Sequence, residues 1–134
     1  MINIMAFFVK KKKKILVVDD SELALPLVEM ILKDRYIVNL AKSGKDAIDY
    51  LSQGNIPDLI LLDLIMPEMD GWETFNRIKE LDYLNNVPIA FLTSLHGKEE
   101  QTHALEIGAE DYIFKPFARK ELLKKVKIII KKNM

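Results

Sequence analysis

The chain has no cysteine, five glycines, five prolines, one tryptophan and no excess of charge of either sign. Without cysteine it carries neither a disulfide framework nor thiolate chemistry, which fits a reducing compartment, and a cytoplasmic location is expected. Twenty basic residues balance twenty acidic ones, so net charge draws the molecule toward neither nucleic acid nor a membrane surface. No apolar run approaches the roughly 20 residues of a membrane span. No repeat or low-complexity segment appears apart from one lysine run.

What is present is 134 residues that are 49% hydrophobic and 30% charged, enough for one domain with its own core. The first fourteen stand apart. Met1 to Val9 is mostly apolar and is followed by Lys10 to Lys14, the reverse of a secretory signal's order. We read 1–14 as an extension outside the fold, disordered or loosely packed, and 15–134 as the domain. A short peripheral membrane anchor is the sharper alternative, and an upstream start codon a third.

From Ile15 onward, apolar runs alternate with helical patterns. Ile15 to Asp19 reads as a strand. Ser21 is placed to cap the next helix, whose stripe is Leu23, Leu27, Val28, Ile31 and Leu32, with a kink or widened turn expected at Pro26. Tyr36 to Ala41 is a strand and Ser43 to Gly54 a helix. Asp58 to Asp63 is a buried central strand, and Pro67 and Asp70-Gly71 turn the chain into a helix from Gly71 to about Leu84. Val87 to Thr93 and Asp111 to Phe114 are strands, with a weakly apolar helix over 98–107 between them. A last helix, Ala118 to about Lys131, turns Leu122, Leu123, Val126, Ile129 and Ile130 inward. Five strands alternating with five helices predict an α/β fold: a doubly wound parallel sheet with helices on both faces, in the flavodoxin-like order 2-1-3-4-5.

That topology sends four features to the carboxyl edge of the sheet: the pair Asp19 and Asp20, the lone Asp63, the Thr93 hydroxyl and Lys115. Each alone has a bland explanation as a cap, a turn residue or a solvated cation. Together they suit phosphoryl transfer to a carboxylate. Three carboxylates in one cleft need a cation, and all-oxygen ligands with room for water suit Mg²⁺. Asp63, ionised at neutral pH, would be the nucleophile. Lys115 and the metal would share the phosphoryl charge, and Thr93 would donate a hydrogen bond.

The chain resembles the receiver domains of bacterial two-component response regulators. The matching pieces, in family order, are Val17 to Asp20, Leu62 to Pro67, Met69 to Gly71, Leu92 to Ser94 and Gly108 to Phe117. The resemblance implies that Asp63 is the phosphoacceptor, and that Asp19, Asp20 and Asp63 bind Mg²⁺ with the backbone carbonyl of Ile65. It implies that Thr93 and Lys115 contact the phosphoryl group, that Lys115-Pro116 is cis, and that Tyr112 is an aromatic switch; a half-exposed outer-strand tyrosine is the plainer alternative. Ile65 and Leu95 occupy the positions that influence hydrolysis in receivers. Both are apolar and unable to orient water, so slow loss of the phosphoryl group is expected. His96 reads as a surface residue.

The implied partners are a sensor histidine kinase or phosphotransfer protein and a downstream protein target of unknown identity. No output domain is expected after the last helix, and contact through the fourth helix, last strand and last helix would carry the signal, with the chain a monomer or transient homodimer. The lysine-rich last helix, where Ile128 falls off the inward stripe, reads as a solvated face first and an acidic-partner surface second; nucleic-acid binding is disfavoured. A dehalogenase-like phosphohydrolase needs a second acid where Ile65 stands, and a flavin site would be repelled by Asp19 and Asp20. A phosphorylation-independent interaction module is the remaining alternative.

Overall fold

From Ile15 onward, each run read as a strand forms one in a computed structural model that describes residues 11–134. The elements are β1 (Lys14–Val18), α1 (Ala24–Leu32), β2 (Ile37–Ala41), α2 (Gly44–Ser52), β3 (Leu59–Leu62), α3 (Gly71–Lys79), β4 (Ile89–Thr93), α4 (Lys98–Glu106), β5 (Asp111–Phe114) and α5 (Arg119–Lys132). All strand pairs are parallel and the order is β2-β1-β3-β4-β5, as the alternation predicts. Every residue of β3 and β4 is buried, because helices cover both faces of the central strands.

Side chains alternate between two cores. Leu16, Val18, Ile60, Leu62 and Phe91 face the layer containing α2, α3 and α4. Ile15, Val17, Leu59, Leu61 and Leu92 face α1 and α5. The helices are anchored unequally: α5 buries Leu122, Val126, Ile129 and Ile130, whereas α4 buries only Ala104.

Several boundaries differ from the sequence reading. β1 begins at Lys14, whose N–H donates to Asp58 Oδ2 (2.8 Å), and the Lys13 carbonyl accepts from Ile37 N–H (2.9 Å). The expected extension otherwise falls mainly on 1–10, outside the described residues. The stripe of α1 is Leu25, Val28, Ile31 and Leu32; Leu23 is 87% exposed and Leu27 is also exposed. The reason is a later start. Ser21 Oγ caps the entering turn by accepting from Ala24 N–H (3.1 Å), so the helix proper opens at Ala24 and its inward face moves. Pro26 lies in the first turn of this helix: Leu25 N–H donates to the Ser21 carbonyl (3.1 Å), and Pro26, lacking an N–H, cannot make the next bond of that ladder. Finally, α3 stops at Lys79: Leu81 is extended and a 3₁₀ turn, Asp82–Leu84, carries Leu84 into the core.

Candidate functional site

Register brings the site together. Val18 pairs with Leu62, so the next residues, Asp19 and Asp63, emerge side by side; their N–H groups continue the ladder to the Ala41 and Val18 carbonyls (3.0 and 2.9 Å). Leu62 pairs with Phe91, which puts Thr93 slightly higher on the next strand, and Thr93 pairs with Phe114, directly before Lys115. Four chain segments far apart in sequence thus meet at one edge.

The turn after β3 locks Asp63 from behind. Glu68 takes a positive φ of 66°, and Gly71 N–H donates to the Leu64 carbonyl at 2.8 Å. A Cβ on Gly71 would lie 2.2 Å from the Asp63 carbonyl oxygen, so only glycine lets α3 start this close to the strand. Asp70 then caps α3 by accepting from Glu73 N–H (2.9 Å).

Asp19 and Asp63 are 2% and 7% exposed, while Asp20 faces solvent. One oxygen from each of the three carboxylates lies within 4.8 Å of the others. Lys115 Nζ donates to Asp19 Oδ2 and, at 3.3 Å, to Asp63 Oδ2, forming two ion pairs from one ammonium. Asp63 Oδ1 accepts from Ile65 N–H (3.4 Å). Asp19 Oδ1 accepts from Ser21 N–H (2.9 Å).

Burial pushes the Asp63 carboxyl above its ordinary range, and the neighbouring Asp19 charge adds to the rise. The Lys115 ammonium, the Thr93 hydroxyl and the Ile65 N–H pull the other way without cancelling it. Three carboxylates against one ammonium leave an uncompensated negative charge, with one ligand open to water at Asp20. An oxygen-rich cleft of that kind fits a divalent cation that keeps part of its hydration shell, as Mg²⁺ does.

Thr93 is fully buried; its Oγ1 accepts from Leu95 N–H (3.3 Å). Lys115 N–H donates to the Thr93 carbonyl (2.9 Å), and Lys115-Pro116 is cis, as the resemblance implied. Tyr112 is 2% exposed, not half-exposed: its ring is inward and its hydroxyl donates to the Leu95 carbonyl at 2.7 Å. Burial, then Glu100 and Asp63, raise its pKa. Ile65 projects into solvent and Leu95 is half-buried, both at the rim of the site. His96, read from sequence as a surface residue, is exposed yet bonded: Nε2 lies 2.7 Å from the Lys115 carbonyl. No local signal in the sequence announces that contact, because its partner is nineteen residues away.

The sequence pattern of the response regulator receiver domain matches residues 15–127. A probable cyclic di-GMP phosphodiesterase of Vibrio cholerae is 42% identical over 102 residues, 76% of this chain and 23% of that protein. Histidine kinase P4 of Formosa agariphila is 38% identical over 125 residues, 93% of this chain and 9% of that one. The chain therefore spans less than a quarter of the length of either relative. Among solved structures, the chemotaxis protein CheY4 of Vibrio cholerae superposes with a TM-score of 0.82 at 30% identity, covering 89% of this chain and 99% of that one. A CheY-like response regulator receiver domain protein of Methanospirillum hungatei gives 0.83 at 27% identity, covering 92% and 97%.

Proposed function

Because this chain belongs to the response regulator receiver domain family of two-component signalling, we propose that Asp63 is its phosphoacceptor and that phosphorylation switches its contacts with another protein. The observation that carries this reading is Lys115 Nζ joined at once to Asp19 and Asp63, two buried carboxylates on adjacent strands. A cation at that point offsets part of the negative charge of the pocket an anionic phosphoryl group has to enter.

The donor is a phosphohistidine of a sensor histidine kinase or phosphotransfer protein. An Asp63 carboxylate oxygen attacks phosphorus, a P–O bond forms, the P–N bond breaks, and the electron pair returns to the leaving imidazole. Lys115 and the Thr93 hydroxyl take up charge on the phosphoryl oxygens, and the buried wall around them keeps those interactions strong. Asp19, Asp20 and Asp63, with the Ile65 carbonyl, would hold Mg²⁺, which would supply further charge neutralisation. The domain is a signalling acceptor and not an enzyme acting on external substrates. With Ile65 and Leu95 apolar beside the site, no side chain there orients an attacking water, so the acyl phosphate hydrolyses slowly.

Output runs through α4, β5 and α5. The weakly anchored α4 can change its seat at little cost, Tyr112 sits on β5 beneath it, and Leu105 and Ile128 offer exposed apolar side chains for a partner or a transient second copy. Among the described residues no helix is long and apolar enough to cross a membrane. We place the domain in the cytoplasm, with protein and not nucleic acid as its target.

Incubation with acetyl phosphate and Mg²⁺, followed by intact mass, tests the acceptor assignment: one added phosphoryl group is expected in the native chain and none in Asp63→Asn. Labelling that survives the substitution sinks it. After removal of acetyl phosphate the label should persist for minutes or longer, and a half-life of seconds contradicts the roles given to Ile65 and Leu95.

A further inference from the structure

Lys115 has the longest and most flexible side chain at the site, so the position of its backbone decides whether the ammonium reaches Asp63. That backbone is held at both ends. Its N–H donates to the Thr93 carbonyl at 2.9 Å, and its own carbonyl lies 2.7 Å from His96 Nε2. A carbonyl oxygen can only accept, so Nε2 carries the hydrogen, and the donor exists in the neutral tautomer and in the imidazolium alike.

The imidazole does a second thing. It packs on Phe114 with ring centroids 4.8 Å apart, Phe114 meets Tyr112 edge-on at 5.4 Å, and the Tyr112 hydroxyl returns to the carbonyl of Leu95, the residue before His96. The loop between β4 and α4 is thereby tied to the end of β5 at two points. Thr93 ends β4 directly before that loop, and Lys115 directly follows β5.

We propose that His96 is a positioning residue for phosphoryl transfer: through the Lys115 carbonyl it fixes the lysine backbone and holds the loop so that Lys115 and Thr93 face Asp63 together. The proposal rests on the acceptor role given to Asp63 above. Among the described residues His96 makes no hydrogen bond to Asp19, Asp20 or Asp63, so it acts on the reaction through the Lys115 backbone and the loop that follows Thr93.

The test uses the full chain, acetyl phosphate and Mg²⁺, with labelling rates followed by mass over a range of acetyl phosphate concentrations. His96→Ala should lower the maximal labelling rate by ~3- to 10-fold, the size of effect one lost hydrogen bond produces, with the half-saturating concentration unchanged. His96→Gln, which keeps an N–H donor, should recover the rate, and His96→Phe, which keeps ring packing on Phe114 without the donor, should remain slow. Thermal midpoints of all three should stay close to the native value, which separates positioning from a loss of fold. Native labelling rates in His96→Ala or His96→Phe, or a glutamine variant as slow as the alanine one, would overturn the proposal. Failure of His96→Ala to slow labelling while Asp63→Asn still abolishes it leaves the acceptor assignment standing; label surviving in Asp63→Asn removes the premise instead.

Discussion

Between Val18 and Asp19, and again between Leu62 and Asp63, the sheet passes in a single residue from packed hydrocarbon to buried charge. Below that line the central strands are packed against helices on both faces. Above it, Asp19, Asp20 and Asp63 crowd together around the Lys115 ammonium, and the Asp63 carboxyl is held above its ordinary range by burial. The strand bodies are arranged for stability; the strand ends spend part of that stability to keep a reactive carboxylate in place. Substitutions in the two regions should therefore have opposite signatures.

The largest separation is expected from Leu32→Ala. Leu32 is fully buried on α1 in the α1/α5 core, and its truncation should cost about 2–5 kcal/mol of unfolding free energy. Denaturant unfolding reads that loss, while acetyl phosphate labelling per folded molecule should remain native. If labelling falls in step with stability beyond the folded fraction, the two regions are not independent.

Asp63→Asn should do the reverse, removing chemistry while raising stability. In the folded chain the carboxyl holds its proton to higher pH than in the unfolded chain, where the ordinary value of 3.8 applies. Between those two values the folded state binds more protons, so stability falls as pH rises through that window. The amide removes this slope. In metal-free buffer the substituted chain should melt above the native one at neutral pH, with the gap closing as the pH approaches the unfolded value. A gap that widens on acidification would show that Lys115 dominates burial at this site.

The elements themselves were legible in the sequence because burial on both faces leaves a signature in composition. Leu59 to Leu62 and Ile89 to Leu92 are unbroken apolar runs, and Ser43 and Asp70 stand where helix caps are needed. The phase of α1 was not legible: Leu23 and Leu25 are equally apolar, and the backbone turn at Ser21 decides which of them faces the core. The same holds for the end of α3, where the pattern through Leu81 and Leu84 continues although the helix does not.

The three carboxylates, the hydroxyl and the lysine could be placed at one edge from the sequence, since they stand at or just after the ends of apolar runs and parallel strands share one carboxyl edge; the acceptor role proposed for Asp63 rests on that placement and on the resemblance to receiver domains. Tertiary structure decided what the chain's linear order cannot encode. It chose the inward seat of Tyr112, the close approach of Gly71 to the Asp63 carbonyl, and the reach of His96 to Lys115. The physical reason is range. Periodicity and capping are set by residues a few positions apart, whereas these three contacts depend on packing and strand register that exist only once the sheet has closed.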